Sequence, residues 1–368
     1  MSRKIVIDAR ITGSSTGVYS ENLLNHLQKI DSKNQYFVLL RDLTSWKPTA
    51  KNFTAIHAPV KDYTFAEQIS LAKTLHALKP DLVHFCMPNQ PLLYFGKRVT
   101  TVHDLTLIKF ENIDMNPAIY RIRKAIFNLL VRNVIWRSHA VVTPTEYVRN
   151  DVLEFSGRQH ADKVFTTLEA GDPLAGRPVA ISDLKNKKFV FFIGNAFPYK
   201  NLKRIVDAYK QVQSNHPELH LVFAGKKEFF YEDLERYVDK QDVENVHFLG
   251  FVSEGEKRWL FQNAQAYVVA SLSEGFHIPA LEAMYEGCPV ISSNATCLPE
   301  VCASAAVYFD PLSTSGLEKA IKSVLEDKKL RNKVVEAGYG RVKEFSWKRM
   351  AQETLDVYES VLSSDKTM

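Results

Sequence analysis

The sequence lacks the features of several protein classes. No apolar run approaches the roughly 20 residues that a membrane-spanning helix needs. The 368 residues include four cysteines and no C-x-x-C pair, which predicts buried thiols in a reducing compartment rather than disulfides or a metal site. There is no D-x-D pair of aspartates, and the dinucleotide fingerprint G-x-G-x-x-G is also missing. These absences argue against a membrane-spanning protein, a disulfide scaffold and a typical NAD-binding enzyme.

The composition is that of an ordinary globular protein, with 45% hydrophobic and 24% charged residues. A chain of 368 residues predicts two domains, at roughly 100–200 residues per domain. The first residues, Met1 to Asp8, reach an acidic side chain too early for a signal peptide and predict a first strand instead. We therefore expect a cytoplasmic protein.

Positive charge is concentrated in the first half of the chain. Residues 1–172 hold 22 lysines and arginines against 16 acidic residues, whereas the remainder holds 25 against 26. Such an excess predicts that this half faces an anionic surface or a phosphorylated acceptor. A solvated surface with a chance excess of charge explains the numbers equally well.

A basic amphipathic segment, residues 120–137, lies in this half. Its basic residues are Arg121, Arg123, Lys124, Arg132 and Arg137. A helix of this kind can lie on an anionic membrane, and a core helix with a basic outer face has the same pattern. The segment thus leaves open whether the protein makes peripheral contact with the inner face of a membrane.

Short apolar runs alternate with helical patterns along the whole chain. The predicted strands are Lys4–Ile7, Tyr36–Leu40, Leu82–Phe85, Val99–Val102, Ala140–Val142, Phe189–Ile193, Leu219–Phe223, Val246–Leu249, Ala266–Ala270 and Pro289–Ile291. Continuous β-branched runs indicate strands that are covered on both faces. Strands and helices in this alternation predict parallel α/β sheets.

The alternation breaks once, at residues 173–187, which are rich in Pro, Gly and polar residues and predict a linker. The predicted domains are therefore residues 1–172 and 188–349, each a Rossmann-like doubly wound sheet. Ligands of such sheets bind outside the carboxyl ends of the strands, so two facing sheets place a site in the cleft between them. The last stretch, about 350–368, predicts a helix whose packing partner the pattern does not reveal.

Two glycine-containing turns follow predicted strands. The first, Gly13 to Gly17, comes before a helical pattern, where backbone N–H groups can approach a phosphate. The second, residues 194–201, places Lys200 where a helix N-terminus and an ammonium together attract a diphosphate. A purely structural turn and a solvent-facing lysine remain alternatives.

The most informative segment is SEGFHIPALEAM, residues 273–284. Pro279 suits the first turn of a helix, so the loop before it presents free amides to a ligand. Glu282 is expected in the first turn of that helix, close to Glu274 in the loop. A carboxylate there can accept two O–H bonds from a vicinal diol such as a ribose, or it can simply compensate the helix dipole.

Together these segments resemble the retaining GT-B glycosyltransferases of glycosyltransferase family 4, in particular bacterial mannosyltransferases of surface-polysaccharide assembly. Glu274 and Glu282 match the E-x7-E signature of that family. The other similar segments are GNAFPYKN (194–201), VHDLT (102–106), LPEV (298–301) and YFDP (308–311). The resemblance covers nearly the whole chain and implies two facing Rossmann-like domains, with the last helix crossing back onto the first domain.

The resemblance assigns roles on the phosphate side of a nucleotide-sugar donor. Gly13 and Gly17 would bring the first loop to the donor phosphates, and Asn195 belongs to the second loop. Lys200 would bind the diphosphate and stabilise it as the leaving group. His103, after a predicted strand, would lie beside the transferred sugar, although it can also be read as a cap of its own loop.

Roles on the sugar and ribose side follow in the same way. Glu274 would contact hydroxyls of the donor sugar, and the loop from Gly275 to Phe276 and His277 would place its amides nearby. Glu282 would hold the ribose. The chain departs from the family pattern at Tyr199, where many members have arginine, and at His277, where many have glycine.

The expected activity is transfer of a hexose, with mannose from GDP-mannose as the first choice, to a glycan or lipid-linked acceptor with retention of configuration. Without a D-x-D pair, fixed donors such as Lys200 have to stabilise the leaving diphosphate, so no metal or other cofactor is expected. A UDP-sugar donor, a catalytically silent nucleotide-sugar-binding subunit, and an epimerase or phosphorylase of the same fold are the alternatives. No nucleic-acid partner is expected.

Overall fold

The computed structural model describes residues 2–14, 16–60, 64–110 and 117–363. Ser15 of the first glycine turn, the side chains at 120, 122 and 123 in the basic segment, and residues 364–368 of the last predicted helix lie outside the described residues. The chain divides into two compact units, Met1–Glu169 with Ser346–Met368, and Ala170–Phe345. They are called the first and the second unit below.

The first unit is built on a parallel sheet. Its strands are β1 (Lys4–Asp8), β2 (Gln35–Leu40), β3 (Phe53–His57), β4 (Leu82–Phe85), β5 (Arg98–Thr101), β6 (Ala140–Thr143) and β7 (Val164–Thr166). Within the described residues the order is β3-β2-β1-β4-β5-β6-β7, and every neighbouring pair is parallel. The order reverses between β1 and β4, the kind of position at which doubly wound sheets bind ligands.

Helices cover both faces of this sheet, as parallel crossovers require. They are α1 (Gly17–Ile30), α2 (Phe65–Leu78), α3 (Thr106–Lys109), α4 (Pro117–Arg137) and α5 (Glu146–Ser156). One apolar core packs α2 against the β1, β2 and β4 side of the sheet. A second packs α4 and α5 against the β6 side.

The second unit repeats this architecture. Its strands are β8 (Lys188–Ile193), β9 (Leu219–Ala224), β10 (Val246–Gly250), β11 (Ala266–Val269), β12 (Val290–Ser293) and β13 (Ala306–Phe309). In the described residues they form a parallel sheet in the order β10-β9-β8-β11-β12-β13. The reversal falls between β8 and β11, so the loops after these two neighbouring strands lie side by side.

Seven helices of the described chain accompany this sheet. They are α6 (Leu202–Gln213), α7 (Phe229–Gln241), α8 (Glu254–Asn263), α9 (Ile278–Tyr285), α10 (Leu298–Cys302), α11 (Thr314–Glu326) and α12 (Lys328–Arg341). Capping follows the sequence closely: Ser253 and Glu256 form a capping box at the start of α8. A core formed mainly by α6, α7, α11 and the sheet fills one face.

The chain then returns to the first unit through α13 (Trp347–Ser363), which packs against α1. Tyr358 of this helix has its hydroxyl 2.5 Å from Nδ1 of His84, and Nε2 of His84 lies 2.8 Å from the hydroxyl of Thr101. Burial lowers the pKa of His84 to about 3, so the ring is neutral and accepts from Tyr358 while donating to Thr101. A buried hydrogen-bonded pair of this kind anchors α13 in the first unit.

The prediction of two doubly wound parallel sheets is confirmed, and each of the ten predicted strands is a strand with bounds shifted by at most two residues. The sequence missed β3, β7 and β13, which all lie at sheet edges. β3 (FTAIH) and β7 (VFT) are partly exposed and lack the continuous apolar run that marks a strand covered on both faces. β13 (AVYF) is apolar throughout and was missed although it has such a run.

Residues 173–187, which the sequence predicts as a linker, pack in the second unit. The amide of Val179 donates to the carbonyl of Gly255 at 2.9 Å, and Leu184 is buried. A Cβ on Gly255 would lie 2.8 Å from the Val179 side chain, so glycine permits the close approach. The segment has no regular periodicity because it runs as an irregular strap along α8, and the units divide at 169/170 rather than at 172/173.

Candidate functional site

An ion pair between Lys200 and Glu274 lies at the carboxyl-terminal edge of the second sheet. Lys200 follows β8 and Glu274 follows β11, and these neighbouring strands bring their loops together. Nζ of Lys200 is 2.7 Å from Oε1 and 2.9 Å from Oε2 of Glu274. The side chains are 12% and 9% exposed, so the ammonium is largely withdrawn from water, where its charge acts more strongly on a ligand.

Glu274 is held from several sides. Its Oε1 also accepts from the hydroxyl of Ser271 at 2.6 Å and lies 3.1 Å from Nδ1 of His277. Burial by itself raises the pKa of Glu274, but the charges of Lys200 and then His277, with their hydrogen bonds, lower it well below its ordinary value. The carboxylate is therefore ionised across the physiological range and acts as an acceptor for hydroxyl groups.

His277 precedes α9 in a left-handed backbone conformation, with φ 81 and ψ 64. This conformation costs a residue with a Cβ roughly 1–3 kcal/mol and is normally taken by glycine. The side chain is 3% exposed and lies between Glu274 and Tyr267, whose hydroxyl is 2.9 Å from Nε2. Strain of this kind persists only where surrounding contacts hold it, and here two polar contacts do so.

Glu282 stands one turn further into its helix than the sequence predicted. Helix α9 begins at Ile278 with His277 as its N-cap, and its first turn has no acidic residue. The sequence prediction put Pro279 in the first turn and counted Glu282 in that same turn, whereas the first turn runs from Ile278 to Leu281. Oε1 of Glu282 lies 2.7 Å from Nζ of Lys257 on α8, with the two side chains 14% and 22% exposed.

The remaining predicted residues of the second unit divide into exposed and buried ones. Asn195 is exposed on the loop after β8. Gly275 is buried, and Phe276 is 4% exposed with its ring edge-on to Phe345. Phe276 thus fixes the loop through its side chain.

The first glycine turn lies between β1 and α1 in the first unit. Gly13 has φ 85 and its amide donates to Oε1 of Glu21 at 2.9 Å. A Cβ on Gly17 would lie 2.5 Å from the carbonyl oxygen of Ile11, so only glycine fits there. The amide of Gly13 already binds the carboxylate of Glu21, so a phosphate at this amide would have to displace Glu21.

His103 lies two residues after β5 in the first unit. Its Nε2 is 3.0 Å from the carbonyl oxygen of Cys86, which follows β4, and its Nδ1 is 3.1 Å from Oε1 of Glu169. Burial lowers the pKa of His103, but the hydrogen bond and charge of Glu169 outweigh this effect and raise the pKa. Because both neighbours are acceptors, the arrangement suits an imidazolium that donates through both nitrogens.

The predicted site residues thus fall into separate groups. Lys200, Glu274 and His277 form one hydrogen-bonded cluster in the second unit. Glu282 pairs with Lys257 instead of joining that cluster. Gly13, Gly17 and His103 belong to the first unit.

Four residues that touch these groups escaped the sequence analysis. They are Glu169, Lys257, Tyr267 and Ser271, which contact His103, Glu282, His277 and Glu274 respectively. Ser271 stands directly after a predicted strand, a position that marks it as a candidate. Glu169 and Lys257 are distant in sequence from His103 and Glu282, and Tyr267 lies within the strand before the His277 loop; no local pattern connects these residues to their partners.

Residues 180–341 match the family model described as glycosyl transferases group 1. This match and the two doubly wound parallel sheets define the class of the protein: a two-domain glycosyltransferase with the GT-B fold. The resemblance recognised from the motifs is confirmed.

Relatives and solved structures agree with this assignment. The chain is 25% identical over 276 residues to O-antigen chain mannosyltransferase B of Escherichia coli, covering 72% of this chain and 70% of the relative. Sucrose-phosphate synthase of Thermosynechococcus elongatus has a similar fold, with a TM-score of 0.77, 17% identity and coverage of 98% and 100% of the two chains. HepE of Anabaena in complex with UDP-glucose superposes with a TM-score of 0.73 at 16% identity, covering 97% of this chain and 100% of that one.

Proposed function

We propose that this glycosyltransferase moves mannose from GDP-mannose to a glycan or lipid-linked acceptor with retention of configuration. The observation that carries the proposal is the buried Lys200–Glu274 pair at the edge of the second sheet. It joins a cation suited to a diphosphate with a carboxylate suited to sugar hydroxyls. The named mannosyltransferase among the relatives supports mannose, and surface-polysaccharide assembly is the proposed setting.

The proposed chemistry needs no covalent nucleophile. The bond between the sugar C1 and the diphosphate oxygen breaks, and its electrons leave with the diphosphate. The acceptor hydroxyl attacks C1 from the same face and gives its proton to the departing phosphate oxygen. Lys200, loop amides and helix N-termini stabilise the leaving charge, which is why we propose that no metal is required.

A UDP-sugar is the second candidate donor, because HepE, a structure of similar fold, holds UDP-glucose. The two donors differ in the base, and none of the contacts described above reaches the base. The donor is therefore decided by binding. We expect GDP to raise the melting temperature more than UDP does at the same concentration, since the tighter of two ligands that bind the folded state stabilises it more.

The activity itself is tested by the release of free nucleoside diphosphate from GDP-mannose and from UDP-glucose, with and without a mannan-type acceptor. We expect acceptor-dependent release from GDP-mannose that persists in excess EDTA. Loss of turnover in EDTA, with recovery on adding Mg²⁺ or Mn²⁺, contradicts the metal-independent mechanism. Release from UDP-glucose alone selects the second candidate.

Glu282→Gln is expected to weaken GDP binding at least about tenfold. The substitution keeps the shape of the side chain but replaces charge-assisted bonds to two ribose hydroxyls, worth roughly 1.5–3 kcal/mol, by neutral ones. Isothermal titration calorimetry of GDP measures the change. Unchanged affinity in a folded variant shows that Glu282 serves only its pair with Lys257.

Glu286→Gln is the matched control for this substitution. Glu286 caps the same helix, is also buried, and pairs with Arg258 at 3.1 Å. Its loss removes an ion pair of similar geometry four residues away. We expect GDP affinity to remain within about twofold of wild type, which separates the ribose contact from a general weakening of α9.

We further propose that the first unit contacts an anionic membrane through α4. The buried face of this helix includes Val131, Val134 and Ile135. Its outward face carries Ile126, Leu129 and Trp136, which are 52%, 67% and 66% exposed, together with the exposed Arg132. Large apolar side chains beside arginines fit the boundary between anionic headgroups and acyl chains.

The loop between β4 and β5 extends this surface. Phe95 is 74% exposed, and the guanidinium of Arg137 lies 4.8 Å from the centre of its ring. Arg137 also donates to the carbonyl of Leu92 at 2.7 Å, which ties the loop to the end of α4. Among the described residues no helix is long and apolar enough to cross a bilayer.

Leu129→Glu with Trp136→Glu is expected to reduce binding to vesicles containing anionic lipid by about tenfold or more, because two apolar anchors are lost and two like charges are added. Co-sedimentation with phosphatidylcholine vesicles, with and without phosphatidylglycerol, measures it. Phe251→Glu in the second unit, where Phe251 is 84% exposed, is the control and should bind normally. Equal binding by all three proteins contradicts the assignment of α4.

A further inference from the structure

His277 occupies a backbone conformation that favours glycine, although its side chain is large. Its φ of 81 lies in the left-handed region, which residues other than glycine seldom enter, although asparagine, aspartate and histidine do so more often than the rest. A glycine here would form the same turn without strain. Because histidine stands here instead of glycine, the imidazole is expected to make a contact that glycine cannot.

The imidazole is fixed between two polar partners and one ring. Nδ1 lies 3.1 Å from Oε1 of Glu274, and Nε2 lies 2.9 Å from the hydroxyl of Tyr267. The Tyr267 ring is stacked on it, with an interplanar angle of 17° and 6.0 Å between centroids. With 3% of the side chain exposed, water does not compete for these bonds.

The direction of the contact with Glu274 follows from the carboxylate, which is ionised and can only accept. Nδ1 of His277 therefore carries hydrogen and donates to Oε1 of Glu274. The hydroxyl of Tyr267 lies 2.9 Å from Nε2 and donates to the carbonyl oxygen of Ile193 at 3.4 Å. Tyr267 thus holds the other side of the ring, so that Nδ1 faces the carboxylate.

The two carboxylate oxygens of Glu274 accept different numbers of hydrogen bonds. Oε1 accepts from Ser271 at 2.6 Å and from Lys200 at 2.7 Å, in addition to the contact with His277. Among the described residues, Oε2 accepts a hydrogen bond from Lys200 alone, at 2.9 Å. One oxygen is therefore saturated, and the other retains capacity to accept from a ligand.

We infer that His277 is a positioning residue, which together with Ser271 anchors Oε1 of Glu274 so that Oε2 is presented to a hydroxyl of the donor sugar. This inference rests on the proposed function and adds a residue whose side chain contacts no substrate. It also explains the left-handed histidine: the strain is held by the contact with Glu274, which glycine cannot make.

Two variants separate the backbone from the side chain. His277→Gly keeps the left-handed turn at no cost and removes the donor to Glu274. His277→Asn also tolerates the turn, and its side-chain amide nitrogen can replace Nδ1. A purely structural role predicts that both variants fold and act like wild type, or that both fail together. The positioning role predicts that they differ.

We expect His277→Gly to melt at or above the wild-type temperature and to bind GDP within about threefold of wild type. Its kcat/KM for the sugar donor should fall at least about tenfold, the scale of losing a hydrogen bond to a charged group. His277→Asn should recover most of that loss. Tyr267→Phe should give a smaller loss in the same direction, since it removes the polar partner of Nε2 without removing the imidazole.

Donors that lack one hydroxyl identify the contact itself. In the wild type, removing the hydroxyl that faces Glu274 should cost the largest factor in kcat/KM. In His277→Gly that factor should shrink, because a carboxylate that is no longer anchored makes a poorer contact even with the complete sugar. His277→Asn should restore the wild-type factor.

The outcomes distinguish this inference from the proposed function. Absence of transfer by the wild type with every donor defeats the function before any variant is compared. Full kcat/KM in His277→Gly, equal losses in the Gly and Asn variants, or an unchanged deoxy-donor penalty overturns the inference while leaving the function in place.

Discussion

Lys200→Met is expected to lower the rate of sugar transfer by roughly 10²–10³-fold, the scale of removing one preorganised group that stabilises developing negative charge. Lys200 is 12% exposed and lies against Glu274 at 2.7 Å. Its ammonium is therefore fixed in place, and a charge that needs no rearrangement at the moment of reaction is the kind that accelerates a step. Single-turnover kinetics with saturating donor measure the chemical step.

The variant also leaves Glu274 as a buried carboxylate without its closest cation. Glu274 has a lowered pKa in the folded protein, so its contribution to stability is present above the ordinary carboxyl pKa and is lost as the pH falls towards the lowered value. Without Lys200 that loss begins at a higher pH. We expect Lys200→Met to unfold more readily in acid than the wild type.

A second variant separates folding from catalysis. Lys200→Met with Glu274→Gln removes both charges, so it should recover acid stability and remain inactive. Lys203→Met is the control for a lysine lost from the same region, because Lys203 makes a surface pair with Asp233 at 2.6 Å and is 51% exposed. Normal transfer by Lys200→Met, or an equal loss in Lys203→Met, contradicts the role given to Lys200.

His103→Ala is expected to lower the transfer rate by roughly 10²-fold or more while GDP affinity stays within a few-fold of wild type. The reason is that His103 lies in a different unit from the residues proposed to bind the nucleotide. His103 belongs to the first unit, whereas Lys200, Glu274 and Glu282 belong to the second. Loss of His103 should therefore spare the contacts proposed for the diphosphate and ribose. Calorimetry of GDP and a transfer assay on the same preparation give both quantities.

Glu169→Gln tests how His103 acts. Both ring nitrogens already have acceptors, Glu169 and the carbonyl of Cys86. His103 must therefore act through its charge or exchange one acceptor for a sugar hydroxyl. Glu169 raises the pKa of His103, so its replacement should lower that pKa and move the alkaline limb of the rate to lower pH.

The His103–Glu169 pair also affects how the free energy of unfolding depends on pH. A raised histidine pKa contributes stability that is complete below the unfolded value of about 6.5 and is lost as the pH rises through the folded value. Glu169→Gln should reduce the contribution and move its loss to lower pH.

If His103→Ala loses GDP binding and transfer rate equally, His103 is a structural cap of its loop. Near-normal transfer by His103→Ala removes His103 from the site altogether.

Much of the fold was predictable because buried parallel strands leave a clear pattern. The central strands of both sheets are continuous apolar runs, and their positions were identified within two residues. The strands β3, β7 and β13 were not identified, and each lies at an edge with part of its surface exposed; β10, also an edge strand of the described sheets, was identified. Strand detection by hydrophobicity thus succeeds where burial is complete and weakens towards the edges.

The sequence proposed residues for the site, but it did not reveal which of them contact each other. The motifs selected Lys200, Glu274 and Glu282, yet they did not reveal that Glu274 binds Lys200 while Glu282 binds Lys257. They also marked His277 as a departure from a glycine position without showing where its ring lies. The predicted start of α9 was also slightly wrong. The helix begins at Ile278, which places Glu282 in the second turn rather than in the first.

By itself the sequence determined the alternation of strands and helices, the two doubly wound sheets, and the order of motifs that mark a group 1 glycosyltransferase. Such features depend on hydrophobic periodicity and on local backbone conformation, and both are determined by residues that are close together in the sequence. Only the tertiary structure decided which side chains meet. Glu169 reaches His103 and Tyr358 reaches His84 because the order of strands in the sheet and the return of α13 bring distant segments together, and no local pattern encodes that order.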